Sequence, residues 1–191
     1  NSFLNITKDK DCLEIVSLVF PQLKNIYKFN KLNDFAKKNF AKVDFIFLIS
    51  LMIIDGTDNV EYFIYKFNIS KKDQKRLLFL DNFNSQKTTN KTYSEKNLNK
   101  ILYFRGREAL IDVINFKIFK SNEVNNELIK MIHNFKNKEI PIMPIKASTL
   151  MEKYNIPEGR KLGSKLKEIE DFWSNNNFQI SDKEIKNIVN S

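Results

Sequence analysis

The chain has 191 residues, of which 42% are hydrophobic, so it is long enough to bury a sizeable core and too apolar for an intrinsically disordered protein. Its formal net charge of +9 favours an anionic partner such as nucleic acid or a membrane surface. The single cysteine, Cys12, cannot form an internal disulfide, which favours a reducing, cytoplasmic compartment.

Helical patterns follow one another along the chain, and no alternating pattern indicates a strand. Helices are predicted over residues 8–20, 22–29, 33–40, 44–54, 59–67, 70–80, 94–105, 108–120 and 123–136, and a last helix begins at residue 181. Capping boxes are predicted at two of the helix starts, from Ser70 to Asp73 and from Ser181 to Glu184. Only four glycines and four prolines interrupt them, which is typical of helices joined by short loops. The polar residues 81–93 are expected to form a loop. The longest apolar run, 43–54, is broken by Asp44 and is too short to span a bilayer, so it predicts a buried helix and no membrane segment.

Residues 144–173 predict a short helix, a tight turn and a longer helix. Ser148 or Thr149 is placed to cap the first helix, and Asn155 to end it in a left-handed conformation. An apolar stripe at helical spacing runs along the second helix, at Leu162, Leu166, Ile169 and Trp173. Gly159 and Gly163 allow either close packing of two helices or close approach of the backbone to a phosphate. For the glycines alone, the first interpretation, a tight helix–turn–helix corner, is favoured, and the basic residues around the turn support the second without establishing it.

This stretch resembles the C-terminal motif of bacterial tRNA nucleotidyltransferases, the family of CCA-adding enzymes and poly(A) polymerases. The matching segments read PIKASTL (residues 144–150), YNIPEGRKLGSKL (154–166) and EDFW (170–173), followed by Phe178. The family pattern is Pro-Leu-x-Gly-x-Asp-Leu, then Leu-Gly-x-x-x-Gly-Pro-x-x-Gly-x-x-Leu, then Glu-x-x-Trp. Departures from the pattern include Ala147, Thr149, Asn155 and Arg160, where the family has Gly, Asp, Gly and Pro.

Three upstream segments extend the resemblance over most of the chain. They read VFPQ (residues 19–22), FNISKKDQKRL (67–77) and LNKILYFRGREA (98–109). The resemblance implies an all-α fold, a multi-helix bundle or superhelical array of short helices. It also implies a body over residues 1–140, with a possible remnant of the neck at its start, and a helical tail over 141–191. In this family the body and tail hold the tRNA or RNA acceptor region.

The catalytic head of this family is not represented in the sequence. Family resemblance implies that Mg²⁺ and CTP or ATP belong to that head and the adjoining neck, so no cofactor is expected in this chain and it should not add nucleotides alone. The pair Asp9 and Asp11 has the spacing of a metal-binding pair but falls at a predicted helix start, where acidic residues complement the helix dipole. Cys12 and His133 are interpreted as packing residues. CCA addition and polyadenylation both remain open.

Binding of tRNA or another structured RNA is therefore the predicted function. Candidate RNA-binding residues fall in two groups, Lys71, Lys72, Lys75 and Arg76 in the body, and Lys146, Lys153, Gly159, Arg160, Lys161, Gly163 and Lys165 in the tail. A third basic group comprises Lys28, Lys31, Lys37, Lys38 and Lys42. The alternative function is a helical protein–protein module that docks onto a separate catalytic subunit through an apolar patch near Phe3, Leu4 and Ile6.

Overall fold

A computed structural model describes residues 2–86 and 92–190, with the side chains of residues 2 and 3 excepted, and every regular element in these ranges is a helix. The helices are α1 (Ser2–Ile6), α2 (Lys10–Val19), α3 (Asp34–Asn39), α4 (Phe45–Ile53), α5 (Asn59–Phe67), α6 (Lys71–Ser85), α7 (Glu95–Lys120), α8 (Asn126–Lys136), α9 (Ala147–Tyr154), α10 (Arg160–Asn175) and α11 (Asp182–Asn190). Two 3₁₀ helices cover Ile26–Lys31 and Phe40–Lys42. The predicted all-α class is confirmed.

The chain forms two compact units. The first unit contains residues 1–92 and 105–138, and the second contains 93–104 and 139–191. The second unit therefore includes the segment 141–191 together with the first part of α7. The chain passes between the units next to Gly106, whose φ of 83° and ψ of 173° interrupt the helical conformation of α7. The separate helices predicted on either side of this glycine thus meet at a kink.

The centre of the first unit is α4, as the apolar run predicted. Asp44 accepts a hydrogen bond from the Phe47 amide at 3.0 Å and so caps the helix, while Phe47, Leu51 and Ile53 are buried. Packing of α4 against α5 and α6 buries Val60, Leu77 and Leu80. Burial of large aliphatic and aromatic side chains contributes about 1.5–3 kcal/mol each, so these residues account for much of the unit's stability.

Two predicted elements differ from the structure. Residues 22–29 were expected to be α-helical, but a 3₁₀ helix forms over Ile26–Lys31, since its three-residue period puts Ile26, Phe29 and Leu32 together in the core. The predicted loop 81–93 is wrong over 81–85, because α6 continues to Ser85 and buries Asp81. The remainder of that loop includes residues 87–91, which lie outside the described residues.

The second unit is held by a core that α9, α10 and α11 share. Apolar residues of the three helices and of the segments between them form it: Ile145, Leu150, Ile156, Leu162, Ile169, Ile185 and Val189. Trp173, Tyr103 and Phe178 form an aromatic cluster. The centre of the Trp173 ring lies 5.2 Å from that of Tyr103 and 4.9 Å from that of Phe178. The Tyr103 hydroxyl also donates a hydrogen bond to Glu170 at 2.6 Å. The predicted stripe on the second motif helix therefore faces this core.

Candidate nucleic-acid interface

The turn between α9 and α10 presents a helix start without a cap. Asn155 ends α9 with a φ of 52°, as predicted, and Gly159 precedes α10 with a φ of 140°. No side chain of the described residues caps the α10 N-terminus, and its first turn contains no acidic residue. The first turn instead carries Arg160 and Lys161, both exposed. Two cations thus lie at the positive end of the helix dipole, an arrangement that an anion would stabilise.

Open space surrounds both glycines of this turn. A Cβ atom added at Gly159 or Gly163 would meet no atom within 4 Å, so neither glycine serves close packing of two helices in the described parts of the chain. The φ of 140° explains Gly159, because side chains disfavour that conformation. Gly163 has no such backbone requirement, although glycine inside a helix costs about 0.5–1 kcal/mol relative to alanine. A bare, accessible backbone at this point is suited to close approach by another molecule.

The three remaining lysines of the predicted tail group differ in exposure and in whether a carboxylate lies close to the side-chain amine. Lys146 is exposed at the N-cap position of α9, where no side-chain hydrogen bond caps the helix, so the predicted capping by Ser148 or Thr149 is wrong. Lys153 is exposed and lies 3.9 Å from Asp182. Lys165 is buried, and its Nζ lies 3.0 Å from a carboxylate oxygen of Glu168.

Glu168 accepts hydrogen bonds from two side chains of α10, those of Lys165 and Ser164. The Lys165 hydrogen bond, joined by one from Ser164, lowers the pKa of the Glu168 carboxyl. The charge of Lys165 is thus compensated within the helix, which leaves Arg160, Lys161 and Lys146 as the more available cations of the predicted tail group.

In the first unit, three predicted residues lie on one exposed helix start. Ser70 caps α6 by accepting a hydrogen bond from the Asp73 amide at 3.2 Å, as the capping box predicted. Lys71, Lys72 and Lys75 are exposed on the following turns. Lys72 lies 3.9 Å from Glu108 with both side chains largely exposed, and such a pair contributes little to stability.

Arg76 belongs to a different environment. Its guanidinium forms two hydrogen bonds with Asp112, at 2.6 and 2.9 Å, and two with Asp44, at 3.0 and 2.6 Å. Glu108 lies 3.2 Å away. Burial raises the pKa of Asp112, against the opposing effect of the Arg76 hydrogen bonds. With three carboxylates around it, Arg76 joins α6 to α7 and to the start of α4.

A cleft beside Lys75 contains a basic residue that sequence reasoning missed. It measures about 620 Å³, and Arg105, Lys75, Phe79 and Asn82 are among its lining residues. The Arg105 guanidinium lies 5.4 Å from the centre of the Phe79 ring. Cations beside exposed aromatic faces are a common feature of sites for single-stranded nucleic acid. The Arg105-Gly106 pair in the family-like segment was the available sequence signal for this residue.

Asp9, Cys12 and His133, which were interpreted as non-catalytic, lie on helices α2 and α8 or at their ends. Asp9 accepts a hydrogen bond from the Cys12 amide at 3.0 Å, and this bond caps α2, in agreement with the predicted helix start. Cys12 is partly buried, whereas His133 is exposed on α8, so the packing role predicted for His133 is wrong. In the ranges 2–86 and 92–190, no group of three or more His, Cys, Asp or Glu residues is arranged to hold a metal ion. No helix within these ranges is both long and apolar enough to cross a membrane.

The N-terminal helices expose apolar side chains. No residue of α2 is buried, and Ile15, Leu18 and Val19 are 60%, 77% and 57% exposed. Ile6 on α1 is 40% exposed, whereas Leu4 is partly buried and the Phe3 side chain lies outside the described residues. An apolar surface of this kind is typical of a contact site for another protein.

Comparisons with protein-family models, with curated proteins and with solved structures find no match to this chain. The resemblance to tRNA nucleotidyltransferases is therefore a resemblance of sequence motifs alone.

Proposed function

We propose that this chain is the non-catalytic RNA-binding part of a tRNA nucleotidyltransferase or poly(A) polymerase. In this proposal it positions the 3′ end of a tRNA or another RNA for nucleotide addition by a catalytic head. The head, and not this chain, uses Mg²⁺ and CTP or ATP. The observation that carries the proposal is the uncapped start of α10, where two exposed cations and an accessible glycine backbone coincide.

The chemistry of this turn is suited to a phosphate group. Free amide groups at a helix start donate hydrogen bonds to phosphate oxygens, and the helix dipole favours negative charge there. Arg160 and Lys161 would add their charges to those donors, and Gly163 would let the RNA backbone approach the helix. Contacts of this kind recognise the shape and charge of RNA and do not read its bases.

The first unit supplies a second basic surface to the proposal. Lys71, Lys72 and Lys75 would contact phosphates, and Arg105 beside Phe79 would contact a base or a phosphate. Arg76 is assigned a structural role, because its guanidinium is already held by Asp44 and Asp112.

Reversal of the two charges at the α10 start tests the proposal. The variant Arg160→Glu, Lys161→Glu is compared with Lys183→Glu, Lys186→Glu, which changes two exposed lysines of α11 in the same unit by the same total charge. Binding of a tRNA transcript is measured over a series of salt concentrations. We expect the first variant to bind at least about tenfold more weakly and to reduce the salt slope by about two, one for each lost phosphate contact.

The control variant separates local contact from overall charge. If it weakens tRNA binding as much as the α10 variant does, the attraction is general and the assignment of the α10 start is wrong. Equal affinity of the wild type and the α10 variant contradicts the assignment as well.

The exposed apolar face of α2 favours a second candidate function, a module that docks onto a separate catalytic subunit. In this case the chain binds neither tRNA nor poly(A) at low salt, and it binds a separately expressed nucleotidyltransferase head. Leu18→Asp would abolish that complex, because Leu18 is 77% exposed and a charge there could not be buried in an apolar interface. An unchanged complex with Leu18→Asp contradicts docking through α2.

A further inference from the structure

A cleft in the first unit combines a hydrophobic floor with a cationic rim. It measures about 280 Å³ and lies between the first 3₁₀ helix and the end of α7. The floor is formed by the buried side chains Phe29, Leu32, Leu51 and Phe119. Polar and aromatic residues with exposed side chains form the rim: Tyr27, Lys28, Lys31, Lys120 and Asn122.

The 3₁₀ geometry explains why two of these lysines lie together. A 3₁₀ helix has three residues per turn, so side chains three positions apart lie above one another on the same side. Lys28 and Lys31 are related in this way, while Phe29 and Leu32 point into the core on the adjoining side. The end of α7 then adds Lys120 from a distant part of the sequence.

The three lysines have no neutralising partner within ion-pair distance in the part of the chain that the structure describes. Burial and the charge of Lys28 lower the pKa of Lys120, while the charges of Asp55 and Asp81 act in the opposite direction. Concentrated positive charge around a cleft attracts an anion, and a phosphate would relieve the repulsion between these lysines.

We propose that this cleft binds a single nucleotide, with its phosphate at Lys28, Lys31 and Lys120 and its base on the hydrophobic floor. The phosphate accounts for the cationic rim, and a flat base accounts for the buried aromatic and aliphatic floor. Tyr27 beside this floor is 53% exposed, and the Nζ atom of Lys28 lies 5.9 Å from the centre of its ring, so a base that stacks on Tyr27 would bring its phosphate close to Lys28. The volume of about 280 Å³ lies just below the range of about 300–1,000 Å³ for small-molecule sites, so a mononucleotide suits the cleft better than a larger ligand. The nucleotide is either part of an RNA chain or free. This site is additional to the α10 surface and does not depend on it.

Titration of the whole chain with AMP, adenosine and inorganic phosphate, followed by ¹H–¹⁵N NMR, tests the proposal. We expect AMP to shift the signals of Lys28, Lys31, Lys120 and Asn122 saturably, and adenosine and phosphate each to bind at least about tenfold more weakly because each lacks one half of the ligand. Adenosine or phosphate binding as tightly as AMP overturns the proposal, and so does the absence of shifts at these residues.

Two variants with equal charge change provide the matched comparison. Lys28→Ala, Lys31→Ala and Lys120→Ala together should weaken AMP binding about tenfold. Simultaneous alanine substitution of three exposed lysines on the neighbouring helical segments, Lys37, Lys38 and Lys42, should change it less than about twofold, because this control leaves the cleft intact. Equal losses in the two variants overturn the proposal. If circular dichroism shows that the cleft variant is unfolded, Lys31→Ala alone replaces it, with an expected loss of about threefold.

A short oligoadenylate then identifies the source of the nucleotide. If it displaces AMP from the same signals, the cleft holds a nucleotide of an RNA chain, and if AMP remains bound, the cleft holds a free nucleotide. Failure of the α10 proposal is recognised separately, because the Arg160→Glu, Lys161→Glu variant should keep the AMP affinity of the wild type whatever its affinity for tRNA.

Discussion

The substitution Gly163→Ala should raise stability and lower RNA affinity at the same time. Gly163 lies in the first turns of α10 without a positive φ, and an added Cβ would meet no atom within 4 Å. The methyl group therefore causes no clash, and the gain in helix propensity should increase the free energy of unfolding by about 0.5–1 kcal/mol. In the proposed complex, the same methyl group occupies space that the RNA backbone needs.

Urea denaturation and tRNA binding measure the two effects on the same protein. We expect a higher denaturation midpoint together with weaker tRNA binding, by about tenfold if one phosphate contact is lost. Most substitutions that weaken binding by disturbing the fold also lower stability, so opposite changes would identify a surface contact.

The matched control is Asn187→Ala, at an exposed position inside α11 of the same unit. It should also raise stability by several tenths of a kcal/mol, since asparagine has a lower helix propensity than alanine, and it should leave tRNA affinity unchanged. If Gly163→Ala raises stability and leaves tRNA affinity equal to that of the control, RNA does not approach the backbone at Gly163.

Three further predictions concern polar groups that are buried or partly buried. Arg76→Ala should lower the free energy of unfolding, measured by urea denaturation, by roughly 3 kcal/mol, because Asp112 loses its partner while its side chain is only 7% exposed. Undiminished stability of this variant would refute the structural role of Arg76. Asp81→Asn should stabilise the protein at pH 7 by on the order of 1 kcal/mol, because Asp81 is buried with an oxygen that lacks a hydrogen-bond partner. Burial and neighbouring carboxylates raise the pKa of Asp81 in the folded protein above its unfolded value of 3.8. The wild type should therefore lose stability relative to Asp81→Asn as the pH rises above 3.8, and the stability difference between the two proteins should vanish below that pH. A stability difference independent of pH would contradict the explanation. Tyr103→Phe should cost about 1 kcal/mol in thermal unfolding through loss of the Glu170 hydrogen bond. Burial and that bond raise the pKa of Tyr103 to about 12, so the difference in tyrosinate absorbance between the wild type and the variant should appear only near that pH.

Features encoded by neighbouring residues were predictable from the sequence. The capping boxes at Ser70 and Ser181 form as expected, because each involves residues only three positions apart. Asn155 ends α9, and the stripe that includes Leu162 and Trp173 is buried, since helical periodicity decides which side faces the core.

Features that depend on distant residues were not predictable. Arg76 was assigned to the RNA-binding group from its neighbours in the sequence, whereas its partners Asp44 and Asp112 lie 32 and 36 positions away. The cleft at Lys28 requires Lys120 from the end of α7. The extension of α6 through Asp81 likewise depends on tertiary packing, which overrides the polar composition of that segment.

The division of the chain into two units also depends on residues distant in the sequence. The prolines before the motif indicate a change of organisation near residue 141, and nothing in their neighbourhood links that segment to residues 93–104. Contacts between distant residues reveal that this first part of α7 belongs to the second unit, such as those of the Tyr103 ring with Trp173 and Phe178.

The most direct test of the central claim is the binding of this chain to a tRNA transcript and to poly(A) over a series of salt concentrations. The proposal predicts that tRNA is bound more tightly than poly(A) if the chain serves CCA addition, and that the logarithm of the binding constant falls linearly with that of the salt concentration. The Arg160→Glu, Lys161→Glu variant should show a slope smaller by about two. Absence of binding to either RNA at low salt would contradict the RNA-binding function and leave the docking surface on α2 as the better explanation.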